Sequence, residues 1–478
     1  MVICAGKHAV AIRIVNETVI DHACRSIGQS KRKKKKRKRG QDLTPRFFLP
    51  SLKNIPFKVS SKMVLTSPIL RVKWVTMSPI HDHSRTIEKY WNTPEWLGNR
   101  MLFLSGPRQV GKTTLVTAKL CTEKKAYFNW DDRSVRLLYQ KNPGFLEGIK
   151  AKWICFDEIH KRPKWKDILK GIYDVYKDHY RFVVTGSAQL ETFRKSGDSL
   201  VGRYFHTHLF PLNLADFHKQ DFHLPKEAEA LLHHAADKKD SSSLQDLLSL
   251  GGFPEPFFAG SETFWKRWSA NHRDLIIGED LRDLTRIVEV DKIEALVEML
   301  APSVGNPLSY RNLANDLETT HGSIRRWLEM LSRLQLIFSV PPYSKKIRRG
   351  YKVEKKWYYV DWRGAEKDRF ENYVAASLLR ATTLFTDRFG EKMSLHFIRT
   401  HDGAEVDFLI CREKKPWLLI EAKEGSPDIS SAVYRFSYEL GIPCAVVTPK
   451  PHIFRKAVGK EGQNIYCMSW SKLGQVLP

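Results

Sequence analysis

The chain has 478 residues, 42% of them hydrophobic, and a formal net charge of +26 at pH 7. At about 150 residues a domain, this length predicts roughly three domains. No run of about 18 apolar residues occurs, which argues against a membrane-spanning helix. The seven cysteines include no C-x-x-C pair. A zinc ribbon or disulfide framework is therefore not expected, and a cytoplasmic location is predicted.

The positive charge is concentrated at the start of the chain. Residues 1–76 contain 18 Lys and Arg against 3 Asp and Glu, and residues 31–39 are all basic. Such a run repels itself and is typical of disorder. We predict an unstructured leader, with Met77 as an alternative start; a nucleic-acid-binding tail is the other interpretation.

A phosphate-binding motif follows the first predicted strand, residues 101–105. Residues 106–113 fit the pattern G-x-x-x-x-G-K-[ST], and a helix is predicted from Thr113. The glycines let backbone N–H groups wrap phosphates, and the helix N-terminus adds a positive dipole. Lys112 is expected to reach the β- and γ-phosphates of ATP, and Thr113 to ligate Mg²⁺. The predicted nucleotide-binding residues are Gly106, Pro107, Arg108, Gln109, Val110, Gly111, Lys112, Thr113 and Thr114.

Two carboxylates end the apolar strand predicted at residues 153–157. Asp157 is expected to hold Mg²⁺, and Glu158 to orient or deprotonate the attacking water. An apolar strand that ends in acids is weak evidence alone. After a phosphate-binding loop at this spacing, it indicates a site that hydrolyses ATP.

A third strand, residues 181–185, ends in small polar residues. In P-loop enzymes of the additional-strand type, such a strand lies between the other two and its tip senses the γ-phosphate. Thr185 or Ser187 is the expected sensor, with an ordinary strand cap as the alternative. Arg203 is a candidate arginine finger, or else a surface arginine.

Five motifs in this order resemble a large bacterial and archaeal family of AAA-type ATP-binding proteins. They are residues 106–114, 127–132 (YFNWDD), 156–161 (FDEIHK), 184–187 (VTGS) and 251–255 (GGFPE). The resemblance covers about residues 85–450. It implies ATP binding, hydrolysis, a winged helix after the ATPase, and a restriction-endonuclease-like C-terminal domain.

Residues 308–317 and 323–334 are the two predicted helices of that winged helix, and Ser323 is the predicted N-cap of the second. The apolar positions of the second helix fall at helical spacing and are expected in the core; they are Ile324, Trp327, Leu328, Leu331 and Leu334. Arg325, Arg326 and Arg333 lie between them. Seven of the twelve residues in 345–356 are basic, where a wing would stand. This arrangement indicates duplex DNA binding; the alternative is a helical module with a solvated basic hairpin.

The C-terminal part carries a D…E-x-K pattern. Glu421 and Lys423 share one face of a strand, because residues two apart point the same way, and a hairpin can place Asp407 beside them. Asp407 and Glu421 are expected to hold Mg²⁺, with Glu371 as a further acid. The alternative is a hairpin with exposed charges on a binding domain.

We therefore predict an α/β protein with a parallel-sheet ATPase, a winged helix and an endonuclease-like domain. The predicted segments are a leader (1–76), an AAA-type core (77–220), a helical lid (221–300), the winged helix (301–362) and the last domain (363–478). The predicted function is Mg²⁺-dependent ATP hydrolysis coupled to DNA, with a homo-oligomer as a possible assembly. The alternative is a nucleotide-controlled switch that recruits protein partners.

Overall fold

The computed structural model describes residues 3–5, 8–10, 85–91, 93–141, 144–186, 200–218, 222–284, 289–344, 354–459 and 462–478. The chain divides into two compact units, Met1–Trp74 and Val75–Pro478. In the first unit, strands β1 (Ile3–Ala5) and β2 (His8–Val10) pair antiparallel. Parts of the sequence predictions lie outside the described residues: the basic run 31–39, Met77, Ser187 and most of the basic segment 345–356.

A sheet of five parallel strands opens the second unit. The strands are β3 (Met101–Ser105), β4 (Tyr127–Asn129), β5 (Trp153–Asp157), β6 (Arg181–Thr185) and β7 (Tyr204–His208). Their order is β4-β5-β6-β3-β7, so β6 lies between β3 and β5 as predicted. β3 and β5 are buried along their whole length, as expected of strands covered on both faces.

Helices join these strands and cover the sheet. They are α1 (Pro94–Leu97), α2 (Lys112–Lys119), α3 (Arg133–Lys141) and α4 (Trp165–Tyr176). Successive side chains of β3 enter different hydrophobic clusters, because side chains alternate between the faces of a strand. Leu102 and Leu104 pack in one cluster, and Met101 and Phe103 in the other. The P-loop that follows β3 therefore stands on a strand held from both sides.

A mostly helical stretch follows the sheet, as predicted. Its helices are α5 (Leu214–Phe217), α6 (Ala228–Ala236), α7 (Ser243–Leu250), α8 (Pro254–Ala259), α9 (Glu262–Leu275), α10 (Leu281–Leu284) and α11 (Val290–Leu300). A π-helical turn, Ile276–Asp280, joins α9 to α10. Pro254 opens α8, where its missing N–H removes no intrahelical bond.

Two helices and a two-stranded antiparallel sheet come next. They are α12 (Tyr310–Asp316), α13 (His321–Arg333), β8 (Ile337–Val340) and β9 (Lys356–Tyr359). The predicted core positions on and just after α13 are confirmed, since those five side chains are at most 4% exposed. Ser323 was the wrong N-cap. The helix starts two residues earlier, and the side chain of Thr320 accepts a hydrogen bond from the Ser323 N–H.

The C-terminal part is a mixed six-stranded sheet with three helices. Its elements are α14 (Arg369–Phe389), β10 (Met393–Arg399), β11 (Glu405–Arg412), β12 (Lys415–Ala422), α15 (Ser431–Leu440), β13 (Cys444–Thr448), β14 (Phe454–Val458), β15 (Asn464–Ser469) and α16 (Trp470–Val476). The strand order is β10-β11-β12-β13-β15-β14, in which β12, β13 and β15 are parallel. Within the described residues, no helix has the length and apolar character needed to cross a membrane.

A buried ion cluster ties α14 to the ATPase part. Asp216 pairs with Arg380 of α14 (2.6 Å, Nη1 to Oδ2) and with Arg85 (3.7 Å, Nε to Oδ2). Burial opposes the charge of Asp216, but the two guanidinium groups outweigh it and hold the pKa of the carboxyl well below its usual range. Arg85 Nη1 also donates to the Val110 carbonyl oxygen of the P-loop (3.5 Å). The cluster thus joins the P-loop to the long C-terminal helix.

Candidate functional site

The P-loop begins and ends on glycines that its path requires. At Gly106 (φ 158°), a Cβ atom would collide with the carbonyl oxygen of Leu209, the residue after β7, so the loop can pass this close only without a side chain. Gly111 (φ 96°) is the N-cap of α2 in the left-handed region, which favours glycine. The chain therefore turns tightly from β3 into α2, and the helix N-terminus faces the loop as phosphate binding requires.

Lys112 is the buried cation of this loop. It is 8% exposed, and its Nζ donates to the carbonyl oxygens of Gly106 and Pro107, both at 2.8 Å. Burial lowers its pKa to about 8, although the carboxylates of Glu158 and Asp157 oppose that shift. The ammonium therefore sits inside the loop, where phosphate oxygens can replace the two carbonyl partners.

Three hydroxyl groups hold the Asp157 carboxylate. Thr113 Oγ1 donates to Oδ2 (2.9 Å), Tyr127 OH donates to the same oxygen (2.5 Å), and Thr185 Oγ1 donates to Oδ1 (2.5 Å). Asp157 is 3% exposed. The structure thus brings together the predicted residues Thr113, Asp157 and Thr185. Sequence reasoning missed Tyr127, although it lies inside one of the quoted motifs.

Glu158 follows on a strained backbone. Its φ of 56° lies in the left-handed region, and its N–H donates to the Thr185 carbonyl oxygen (3.1 Å). Its Oε2 lies 3.5 Å from Lys161 Nζ and 3.6 Å from His160 Nε2. Burial raises the pKa of the Glu158 carboxyl, against the pull of Lys161. A carboxylate with a raised pKa beside a phosphate-binding loop suits a general base.

His160 is the second residue that sequence reasoning missed. Burial lowers its pKa to about 4, so the ring is neutral at pH 7. Neither ring nitrogen has a hydrogen-bond partner among the described residues. The His160 ring therefore lies beside Glu158 without a charge, and Lys161 is the cation that pairs with the Glu158 carboxylate.

Arg108 links the P-loop to the π-helical turn. Its Nη1 donates to Asp280 Oδ1 (2.7 Å) and its Nη2 to Glu279 Oε2 (3.2 Å). His272 Nε2 lies 3.1 Å from the Arg108 carbonyl oxygen. π-Helical turns often occur at functional sites. The helical stretch is thus bonded directly to the P-loop. No pattern in the sequence predicted these contacts.

Arg203 lies far from the P-loop of its own chain. It precedes β7, whose first residue pairs with Met101 at the start of β3, whereas the P-loop follows the other end of β3. Five residues of strand separate the two ends by about 17 Å. Arg203 is paired with Asp174 (2.9 Å, Nε to Oδ1). Arg203 therefore lies outside the nucleotide site of its own chain, because parallel strands put the two ends of the sheet apart, and its role as an arginine finger stays a prediction.

The predicted C-terminal acids do come together. The Asp407 N–H donates to Glu421 Oε2 (3.3 Å), and Lys423 Nζ lies 2.7 Å from Glu421 Oε1. Sequence reasoning missed Lys356, whose Nζ lies 3.5 Å from Asp407 Oδ1 and 3.6 Å from Glu371 Oε1. In the described part of the chain, no three His, Cys, Asp or Glu side chains form a group that could hold a metal ion. Of the two predicted metal ligands, Asp407 contacts the ammonium of Lys356 and Glu421 contacts that of Lys423.

Three family models match successive parts of the chain. Residues 98–218 match "AAA domain", residues 241–362 match "Domain of unknown function (DUF8612)", and residues 367–467 match "Domain of unknown function (DUF4143)". Residues 98–218 are an AAA-type ATPase domain. This domain contains the whole site from Gly106 to Thr185. The model that matches the C-terminal part states no function, so the endonuclease-like fold stays a prediction.

Two similar proteins are named as uncharacterized proteins. One, from Methanocaldococcus jannaschii, is 26% identical over 337 residues, which cover 66% of this chain and 73% of that protein. Another, from Mycobacterium tuberculosis, is 23% identical over 376 residues, 74% of this chain and 77% of that protein. Among solved structures, the Thermotoga maritima RuvB Holliday junction branch migration motor is 15% identical and covers 53% of this chain and 88% of that chain. The TM-score of that match is 0.23.

Proposed function

We propose that this chain hydrolyses ATP to ADP and phosphate with Mg²⁺, and that the cycle is coupled to duplex DNA. The observation that carries the hydrolysis is the Asp157 carboxylate, held by Thr113 and Thr185 beside the P-loop. Those are the groups that a magnesium nucleotide needs at one place: a hydroxyl, a carboxylate, and a polar side chain at the tip of the neighbouring strand.

Each residue of the site has one role in this proposal. Residues 106–114 wrap the phosphates, and Lys112 neutralises the β- and γ-phosphates. The oxygens of Thr113 and Asp157 fit Mg²⁺, which prefers oxygen ligands and when bound offsets the phosphate charge. Thr185 senses the γ-phosphate through its bond to Asp157.

Glu158 accepts the proton of the attacking water in this scheme. Burial raises its pKa, which makes the carboxylate a stronger proton acceptor. Lys161 orients Glu158, because its Nζ lies 3.5 Å from Glu158 Oε2. The same Nζ is held by the Asp131 carboxylate at 2.7 Å. The water gains a bond to the γ-phosphorus as the bond to the bridging oxygen breaks, and ADP leaves with that electron pair.

The coupling to the rest of the chain has two supports. Arg108 bonds the π-helical turn through Asp280 and Glu279, so a P-loop that closes on phosphate pulls on the helical stretch. On the other side, Arg85 connects the P-loop carbonyl of Val110 to Asp216. Both routes lead from the nucleotide to the C-terminal half.

DNA contact is assigned to the segment 301–362, proposed as a winged helix between a helical lid (221–300) and an endonuclease-like domain (363–478). Arg325, Arg326 and Arg333 are exposed on α13, the helix that would enter a groove. Arg325 already pairs with Glu329 (3.1 Å), which leaves Arg326 and Arg333 as the better candidates for phosphate contact.

A matched pair of variants tests the DNA assignment. We expect Arg326→Ala/Arg333→Ala to weaken binding of a labelled duplex and to lower the salt slope by about 2, one for each lost phosphate contact. The control, Lys170→Ala/Lys177→Ala, removes the same charge from exposed positions of α4 and just after it. Fluorescence anisotropy at several salt concentrations measures both. Equal loss of binding in the two double variants would contradict the assignment of DNA contact to α13.

The second candidate function is a nucleotide-controlled switch that recruits protein partners. The ammonium of Lys356 among the C-terminal carboxylates favours it, because that arrangement suits a binding domain better than a nuclease. In a homo-oligomer, Arg203 of a neighbouring copy would contact the nucleotide. Light scattering with and without ATP decides between the two: assembly driven by ATP, with no effect of DNA on ATPase rate, favours the switch.

A further inference from the structure

Four carboxylates gather where α14 meets β11 and β12. They are Glu371 on α14, Glu405 and Asp407 on β11, and Glu421 on β12. Glu421 is 5% exposed, and the side chains of Glu371 and Asp407 are 17% and 16% exposed. Carboxylates that are buried this close together need a positive charge beside them.

Lys356 supplies that charge from another part of the fold. Its Nζ lies 2.6 Å from Glu405 Oε1, 3.5 Å from Asp407 Oδ1 and 3.6 Å from Glu371 Oε1, and its side chain is 1% exposed. The ammonium also lies 5.5 Å from the centre of the Phe397 ring. One lysine thus contacts three of the four carboxylates.

The backbone of Lys356 belongs to the small antiparallel sheet. It pairs with Val340 of β8 and with Pro307, which precedes α12. Gly305 lies beside Glu371, and a Cβ atom on it would come to 3.0 Å from both carboxylate oxygens of Glu371. The side chain of Lys356 therefore reaches from the segment proposed as a winged helix into the C-terminal sheet.

Electrostatics keep the lysine charged. Burial disfavours its charge, but Glu371, Asp407 and Glu405 together outweigh burial and raise its pKa above the ordinary value. Burial raises the pKa of Glu371 to about 8, with Asp407 as the next cause. The pKa values of Asp407 and Glu421 are also raised, chiefly by burial. The carboxylates of Glu371, Asp407 and Glu405 thus favour the charged form of Lys356.

A divalent metal does not fit this arrangement. Mg²⁺ and Ca²⁺ take carboxylate oxygens at about 2.0–2.6 Å. Here one oxygen each of Glu371, Glu405 and Asp407 faces Lys356 Nζ instead. Lys423 Nζ contacts Glu421 Oε1 at 2.7 Å, which removes another ligand oxygen. A metal ion would have to displace Lys356 against its three partners. The metal that the endonuclease resemblance implies therefore disagrees with the residues present.

We propose that Lys356 is the resident cation of this carboxylate cluster, in the position a divalent metal would take, and that it fixes the β8–β9 segment to the C-terminal sheet. The acids then form a socket for a lysine, and this chain does not use them for metal-dependent cleavage. The proposal is independent of ATP hydrolysis.

Manganese binding to the full chain, without nucleotide, tests the proposal. We expect wild type and Asp407→Asn to bind Mn²⁺ equally in equilibrium titrations followed by electron paramagnetic resonance. Lys356→Met is expected to gain a Mn²⁺ site, lost again in Lys356→Met/Asp407→Asn, and Mn²⁺ is expected to raise its lowered Tm. Lys355→Met, a neighbouring lysine outside the cluster, serves as the control and behaves as wild type.

Two results would overturn the proposal. The first is a Mn²⁺ site in the wild-type chain that Asp407→Asn removes, and this comparison decides the matter even where Lys356→Met does not fold. The second is a folded Lys356→Met chain that gains no site, which would mean that the lysine does not fill a metal-competent position.

Discussion

Nucleotide affinity is expected to fall as the pH rises through 8, because Lys112 then loses its proton. Burial sets the pKa of Lys112 at about 8 in the free chain. Phosphate oxygens beside the ammonium favour its charged form, so the bound chain keeps the proton to higher pH. The affinity for the nucleotide is therefore highest well below pH 8 and falls as the pH rises above 8. The charged fraction of free Lys112 is about 0.9 at pH 7 and about 0.1 at pH 9, which predicts about tenfold weaker binding, or about 1.4 kcal/mol.

Calorimetric titration of ATP with Mg²⁺ into Glu158→Gln at pH 7, 8 and 9 measures this change without turnover. The phosphates stay ionised over this range, since their last pKa is about 6. Lys112→Arg is the control: its guanidinium keeps its charge, so its weaker binding is expected to be flat with pH. Equal affinity of the Glu158→Gln chain at pH 7 and pH 9 would refute the view that Lys112, with its lowered pKa, contacts the phosphates.

Three further predictions follow from buried contacts. Thr185→Val removes the donor to Asp157 Oδ1 and is expected to lower kcat about tenfold or more with little change in fold; an unchanged phosphate-release rate would contradict its role. Asp216→Ala leaves Arg85 and Arg380 buried without their partner and is expected to cost about 3–5 kcal/mol in urea unfolding, so a loss below about 1 kcal/mol would contradict the cluster. Since the folded pKa of Asp216 is depressed, its stabilisation is present above about pH 4 and declines as the pH falls further; Asp216→Asn is expected to flatten that acid limb, and an equally steep limb would count against it.

The nucleotide site was largely predictable because its parts are local in sequence. A strand, a glycine-rich loop and a helix follow one another in residues 101–119, and Asp157 and Glu158 end a single strand. Parallel strands put their carboxyl ends at one edge of the sheet, so Thr185 had to join them. The place of Arg203 could be read the same way, since it precedes a strand and lies at the opposite edge.

The missed residues come from pairings that no periodic pattern records. Tyr127 reaches Asp157 across neighbouring strands, and Arg108 meets Asp280 across 172 positions. Lys356 was counted among the basic residues of a predicted wing, but its position at the start of β9 turns it inward to the acids. Charge and spacing predicted which groups carry the chemistry, while tertiary packing decided which of them meet.

The rate of phosphate release by the full chain, beside ATP binding by the same preparations, tests the central claim most directly. We expect Mg²⁺-dependent release from wild type and at least a hundredfold slower release from Glu158→Gln, which still binds ATP, because general-base catalysis contributes about 10²–10⁴-fold. Lys112→Ala is expected to lose binding as well. Release from Glu158→Gln at the wild-type rate would contradict the account of how this site hydrolyses ATP.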